Sequence, residues 1–192
     1  TILKERDTCY ACTVNCKRVV ETEFTGRKVE PRYGGPEYET IAALGSMIGN
    51  DNLPAVARGG QLCNLYGMDT ITMGNLTAFV MECFENGILT EKDTGGRKLN
   101  FGDPDAMLWL IEEVVHRRGI GDILAEGVKT ASERIGHGSE HFAFTIKGND
   151  LPLHDGRGKT GVALGYALSS TGADHVETPH DVVFQGDGVA KL

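Results

Sequence analysis

Cys9, Cys12 and Cys16 lie within one run, Cys-Tyr-Ala-Cys-Thr-Val-Asn-Cys, whose C-x2-C-x3-C spacing lets three thiolates converge on one centre from a turn leading into a helix start. An iron-sulfur cluster is held by cysteine thiolates, usually four, and suits this run best. Zinc accepts the same ligands, but a structural zinc knot normally carries a second C-x2-C or a His pair close by. Here the next cysteine is Cys63, inside an apolar helical pattern. Free or disulfide-bonded thiols are the third reading, and the spacing alone leaves all three open. The chain has five cysteines, an odd number with no regular framework, which argues against a secreted disulfide scaffold and for a reducing compartment.

Other residues carry chemistry, and each also has a plain structural reading. Asp69 follows Gly67 between two helical patterns, where a carboxylate caps a helix N-terminus. Glu39 reads as a first-turn acid facing a helix dipole, and His175 as a loop histidine. Asp155 and Arg157 in Leu-Pro-Leu-His-Asp-Gly-Arg-Gly read equally as a stapled turn or as the approach to a helix N-terminus, near Lys159 and Thr160, that receives an anion. His154 and His180 could line a substrate path, but rank no higher than surface histidines. Glu113-x-x-His116 resembles a helical metal pair, but His116, Arg117 and Arg118 precede Gly119, where cations stabilise the last carbonyls of a helix without any metal. The single tryptophan, Trp109, reads as core or groove filling.

These groups must be positioned mainly by helices. A β-hairpin over Lys17 to Pro31 turns at Thr25-Gly26. Beyond it the apolar residues recur at helical spacing: Ile41, Leu44 and Ile48; Leu76, Phe79, Val80 and Cys83; Met107, Leu110, Ile111 and Val114; and Leu124, Val128, Ala131 and Ile135, the last set read as one helix. Asn52 and Asp103 each stand just before a first-turn proline, and Gly67, Gly87, Gly119 and Gly136 fall where helices should stop. A strand is expected over Phe142 to Gly148 and a last helix from about Lys159 to Thr171. The expectation is a mainly α, multihelical array with a small β-hairpin near the N-terminus, divided into residues 1–135 and a truncated further helical domain, 136–192.

Composition removes several function classes. With 40% apolar and 24% charged residues the chain is ordinary globular protein, and a formal charge of -8 without clustered Lys and Arg argues against nucleic acid. No apolar run approaches the ~20 residues that cross a bilayer, and the N-terminus has no signal-peptide core, so a soluble cytoplasmic protein is expected.

The succession "CYACTVNCKR", "EPRYGGPEYETIAALGSMIG", "LCNLYGMDTITMGNLTAFVMECFENG", "GIGDILAEGVKTASERIG" and "IKGNDLPLHDGRGKTGVALGYALSSTGADH" resembles the tungsten-dependent aldehyde ferredoxin oxidoreductase family along nearly the whole chain. The resemblance implies the helical second and third domains of such an enzyme, without the N-terminal β domain that underlies the pterin. It implies oxidation of an aldehyde to a carboxylic acid at tungsten or molybdenum held by two pterins, a 4Fe-4S cluster, and ferredoxin as the electron partner. Whether the protein forms a homodimer stays open, as does whether this stretch alone binds a cofactor. Cys9, Cys12 and Cys16 match three cluster ligands, with the fourth expected beyond Leu192 and Cys63 a less favoured substitute. Asn64, Gly67 and Asp69 match the pterin signature D-x-x-G-L-C/D, with Asn64 for Asp and Met68 for Leu. Asp155 and Arg157 match a further cofactor-proximal block in which Gly156 replaces proline. Glu39 and His175 match a carboxylate and an imidazole beside the metal, the pair expected to move protons. Two alternatives accompany this reading: the tungsten subunit of an aryl-CoA ring-reducing complex, and a non-catalytic zinc-binding helical module.

Overall fold

The computed structural model describes residues 1–184, in two compact units that divide between Ala143 and Phe144. The described residues are mainly helical, with three two-stranded antiparallel sheets.

The first unit begins with β1 (Leu3–Asp7) paired to β2 (Lys17–Val20), followed by the hairpin β3 (Thr22–Phe24) and β4 (Arg27–Val29) turning at Thr25-Gly26. The second hairpin turns where expected but is shorter, because Lys17–Val20, expected within it, pair with β1 instead. The first was not, because every residue of β1 is exposed and gives no alternation to read. Consequently the Cys9 to Cys16 run is the loop of a hairpin rather than a helix start.

Five helices build the core of this unit with α1 (Tyr38–Leu44): α2 (Leu53–Tyr66), α3 (Thr70–Glu85), α4 (Pro104–Val115), α5 (Ile120–Leu124) and α6 (Val128–Ile135). Their starts follow from the caps. Asn52 accepts from the N–H of Ala55 at 3.1 Å, and one Asp103 oxygen accepts from Asp105 and Ala106; such caps each contribute about 1 kcal/mol. The apolar stripes of α3 and α4 bury Leu76, Phe79, Val80 and Cys83 against Met107, Leu110, Ile111 and Val114 in one cluster. Removing one such side chain from water stabilises by about 1.5–3 kcal/mol. Helix α1 approaches α3 so closely at Gly74 that a Cβ there would stand 2.4 Å from the Cβ of Ala43. A larger residue at position 74 would push the two helices apart.

Two helical expectations are corrected. The stripe Leu124 to Ile135 is not one helix: Gly127, at φ 87°, breaks it into α5 and α6. The Ile41 to Ile48 stretch is likewise split at Gly45, after which Ser46–Ile48 forms a 3-10 turn, leaving Ile41 partly exposed while Leu44 and Ile48 are buried.

The second unit has its own small core of Val162, Tyr166 and Ala173 with Ile146 and Leu151 packed on it. Its strand is shorter than expected: Phe142 belongs to a 3-10 turn of the first unit, and only β5 (Thr145–Ile146) pairs with β6 (Asn149–Asp150) across Lys147-Gly148. Helix α7 (Thr160–Leu168) ends three residues before Thr171, where Ser169 turns out of the helix.

Candidate functional site

The hairpin loop between β1 and β2 presents Cys9, Cys12 and Cys16 as free, exposed thiols. The N–H of Cys12 bonds to the carbonyl of Cys9 at 3.0 Å, and the Thr8 hydroxyl donates to the carbonyls of Cys9 and Cys12. Ala11 and Asn15 take positive φ, so the loop doubles back twice inside the cysteine run. Three accessible soft donors on one short loop fit three positions of a thiolate-held cluster. The other two cysteines do not fit. Cys63 and Cys83 are fully buried in the helical core, and burial pushes their thiols up to about 12 and about 11. Thiols held protonated in an apolar core are structural. The burial of Cys63 argues against it as the fourth ligand, and among the described residues no further cysteine stands outside the core.

The Asn64 to Asp69 segment joins α2 to α3. Gly67 closes α2 at φ 69°, with no atom within 4 Å of where a Cβ would lie. Asp69 caps α3, its Oδ2 accepting from the N–H of Thr72 at 2.7 Å. The Asn64 side chain donates to the carbonyl of Tyr33 at 3.2 Å, tying α2 to the turn before α1. Asp69 also borders a cavity of about 200 Å³ walled by Met68, Met73, Leu76, Val114 and Leu124. A carboxylate beside an open glycine fits a group that must approach the backbone closely and offer N–H donors. The pterin-facing expectation and the cap are compatible, since the cap bond engages one carboxylate oxygen.

Glu39 sits half-buried in the first turn of α1. His175 lies in the second unit, in the loop after α7. There the structure gathers His175 with Lys159 and with His154 and His180, the two that the sequence reading ranked no higher than surface histidines. The rings of His154 and His175 are 5.0 Å apart and those of His154 and His180 4.5 Å apart. Lys159 Nζ stands 3.0 Å from Nδ1 of His154 and 3.3 Å from Nδ1 of His180. Burial, the Lys159 charge and the neighbouring imidazoles lower the pKa of His154 to about 4, so it is neutral near pH 7.

Asp155 and Arg157 form the stapled turn: Nη2 of Arg157 donates to Oδ2 at 2.6 Å, Nε donates to both oxygens at 3.0 Å, and the Arg157 N–H donates to Oδ1 at 2.8 Å. The guanidinium holds the Asp155 carboxyl at about 2. The N-terminus of α7, which the other of the two equal readings offered to an anion, is already taken. Asp181 accepts there from the N–H groups of Gly161 at 2.8 Å and Val162 at 3.1 Å.

At the end of α4, His116 lies 3.3 Å from Glu112, Arg118 pairs with Glu113 at 2.8 Å, and Arg117 bonds Asp122 and Glu126. The arginines of that run, which lie beyond the last turn of α4, are engaged by carboxylates. Arg97 stacks its guanidinium 5.4 Å over the ring of Trp109, which lies on α4 partly buried against the core.

Residues 1–191 match the family described as "Aldehyde ferredoxin oxidoreductase, domains 2 & 3". The chain belongs to that family. It is 36% identical over 172 residues to a tungsten-containing aldehyde ferredoxin oxidoreductase of Pyrococcus abyssi and 35% identical over 170 residues to that of Thermococcus kodakarensis, in each case over 88% of this chain and 27% of the relative. The chain thus spans about a quarter of the length of these curated relatives. A "WOR-like subunit" of an aliphatic sulfonate oxidoreductase from Pyrococcus furiosus is 32% identical over 88% of the chain and 28% of that relative. Among solved structures, the active-site complex of benzoyl-coenzyme A reductase with 1,5-dienoyl-CoA superposes with a TM-score of 0.69 at 26% identity, covering 88% of this chain and 25% of that one. The family's enzymes are oxidoreductases, and the mainly α architecture agrees with this neighbour. Among the described residues no helix is long and apolar enough to cross a membrane.

Proposed function

We propose that the protein carrying this chain oxidises aldehydes to carboxylic acids at tungsten or molybdenum held by two pterins, with electrons passing through a 4Fe-4S cluster to ferredoxin. The observation that supports this best is the family match over residues 1–191, within which the three exposed thiols sit on one loop.

The overall change is aldehyde plus water to carboxylic acid, two protons and two electrons. The metal centre, when bound, supplies the two-electron acceptor. The chain's own groups bind and move protons. Cys9, Cys12 and Cys16 hold the cluster through sulfur, a soft donor that hydroxyls do not replace. Asp69 keeps its cap bond to Thr72 and accepts N–H donors of the pterin with its other oxygen, while Gly67 leaves room for the ring and Asn64 fixes the segment through Tyr33. Asp155 and Arg157 keep the loop before α7 in one conformation, from which they meet the cofactor's polar rim. Glu39 as carboxylate takes a proton from water, and His175 passes a proton on, both suited to general acid-base work.

A second reading, the tungsten subunit of an aryl-CoA ring-reducing complex, is favoured by the likeness to benzoyl-coenzyme A reductase. Both readings require iron and sulfide. Elemental analysis of the whole protein purified without oxygen tests them together: about four irons and four acid-labile sulfides per chain, with tungsten or molybdenum, are expected. Stoichiometric zinc with neither iron nor sulfide would discard both readings in favour of a zinc-binding helical module.

A further inference from the structure

The histidine and lysine cluster of the second unit supports an inference that deepens the proposed reaction and rests on it for the ligand, though not for the geometry. An ammonium group only donates hydrogen bonds. Lys159, at the N-cap position of α7, therefore donates to Nδ1 of His154 and to Nδ1 of His180, and both rings carry their proton on Nε2. The far side of His180 agrees, because its Nε2 stands 3.1 Å from the carbonyl oxygen of His175, an acceptor that requires N–H there. Two neutral imidazoles thus aim a half-buried cation, and each orients it without cancelling its charge.

Within the second unit the nearby carboxylates bond other groups, although after the N–H bonds of Gly161 and Val162 the Lys159 charge contributes to lowering the pKa of Asp181. Asp181 accepts from Gly161 and Val162, Asp155 from Arg157, Asp174 from the N–H of Val176, and Glu177 from the hydroxyls of Ser169 and Thr171. Among the described residues the hydrogen-bond partners of Lys159 are the two rings, which use two of its three N–H groups. A cation oriented by neutral acceptors at reduced exposure makes a stronger charge-assisted bond to an incoming anion than one already neutralised. Its neighbour in the cluster is His175, one of the two proposed proton-moving groups.

We propose that Lys159, seated between His154 and His180, is an oxyanion subsite that binds the carboxylate formed from the aldehyde, taking one carboxylate oxygen on its third N–H. His154 and His180 are positioning residues that hold the ammonium.

The test uses the 192-residue chain and needs neither metal nor turnover. Imidazole resonances of His154 and His180 are followed by NMR while sodium acetate is added at constant ionic strength, with acetamide as the neutral control. Acetate is expected to shift both rings saturably and acetamide not at all. Lys159→Met should weaken acetate binding at least about tenfold, the scale of one charge-assisted hydrogen bond, and Lys159→Arg should keep it. Arginine keeps the charge and the capacity to donate to both rings, so Lys159→Arg guards against a fold defect in the methionine variant. Absence of a saturable shift in the wild type, or unchanged acetate affinity in a folded Lys159→Met chain, overturns the subsite. If acetate binds and the aldehyde reaction fails, the reaction falls and the subsite stands; the reverse pair of results discards the subsite alone.

Discussion

Oδ2 of Asp69 accepts the backbone N–H of Thr72 at 2.7 Å, so the carboxylate proposed to meet the pterin is also the cap that starts α3. The two roles separate by substitution. Asp69→Asn keeps a capping oxygen and removes the charge, and should leave thermal stability nearly unchanged while lowering the pterin-metal content of the whole protein. Asp69→Ala removes both and should also cost about 1 kcal/mol of stability. Full metal content in Asp69→Asn would reduce Asp69 to a cap.

Thiol labelling checks the division of the cysteines. In the metal-free native chain Cys9, Cys12 and Cys16 are exposed, whereas Cys63 and Cys83 are buried with raised thiol pKa values. Because the thiolate is the reactive form, three thiols should react quickly with a disulfide reagent at pH 8 and two only after unfolding. Equal rates for all five would mean that the core opens readily or that the loop is shielded.

Histidine 154 sets a pH window. Its pKa is about 4 in the folded chain against an ordinary value of 6.5, so between these values the unfolded chain binds more protons. Its contribution to stability is fully present above about 6.5 and is lost as pH falls towards about 4, below which it adds no further slope. The urea midpoint should fall across that interval, and His154→Asn should flatten the fall. An identical profile in His154→Asn would show that other groups govern it.

The sequence made the helices with strong caps legible. Asn52, Asp103, Gly67 and Gly136 mark their ends by local chemistry that tertiary contacts do not override. The break at Gly127 was hidden because the apolar stripe runs in phase across it. The first hairpin was hidden because β1 buries nothing, so no periodicity records it. Within the candidate site, the cysteine run could be singled out from its spacing, since its three thiols are neighbours in the chain, although that spacing left cluster, zinc and free thiols open. The cluster of His154, Lys159, His175 and His180 could not, because a loop, a helix and a returning segment bring those residues together, and no single window contains that geometry.

Glu39 and His175 stand for the proton-moving step. In the whole protein, Glu39→Gln and His175→Asn should each reduce kcat by roughly 10²- to 10⁴-fold, the range of a general acid or base, with metal and cluster content unchanged. The double variant should lose much less than the product of the two, since groups acting as one unit are not additive. A near-normal kcat in either single variant would return Glu39 to a first-turn helix acid or His175 to a loop residue.

The central claim is aldehyde oxidation coupled to electron transfer, and anaerobic turnover of the whole protein tests it most directly. Aldehyde should drive reduction of ferredoxin with one carboxylic acid formed per two electrons transferred, a ratio fixed by the balance of the reaction. A protein loaded with iron, sulfide and tungsten that reduces no ferredoxin with any aldehyde, yet takes up electrons in the presence of an aryl-CoA thioester, would contradict it.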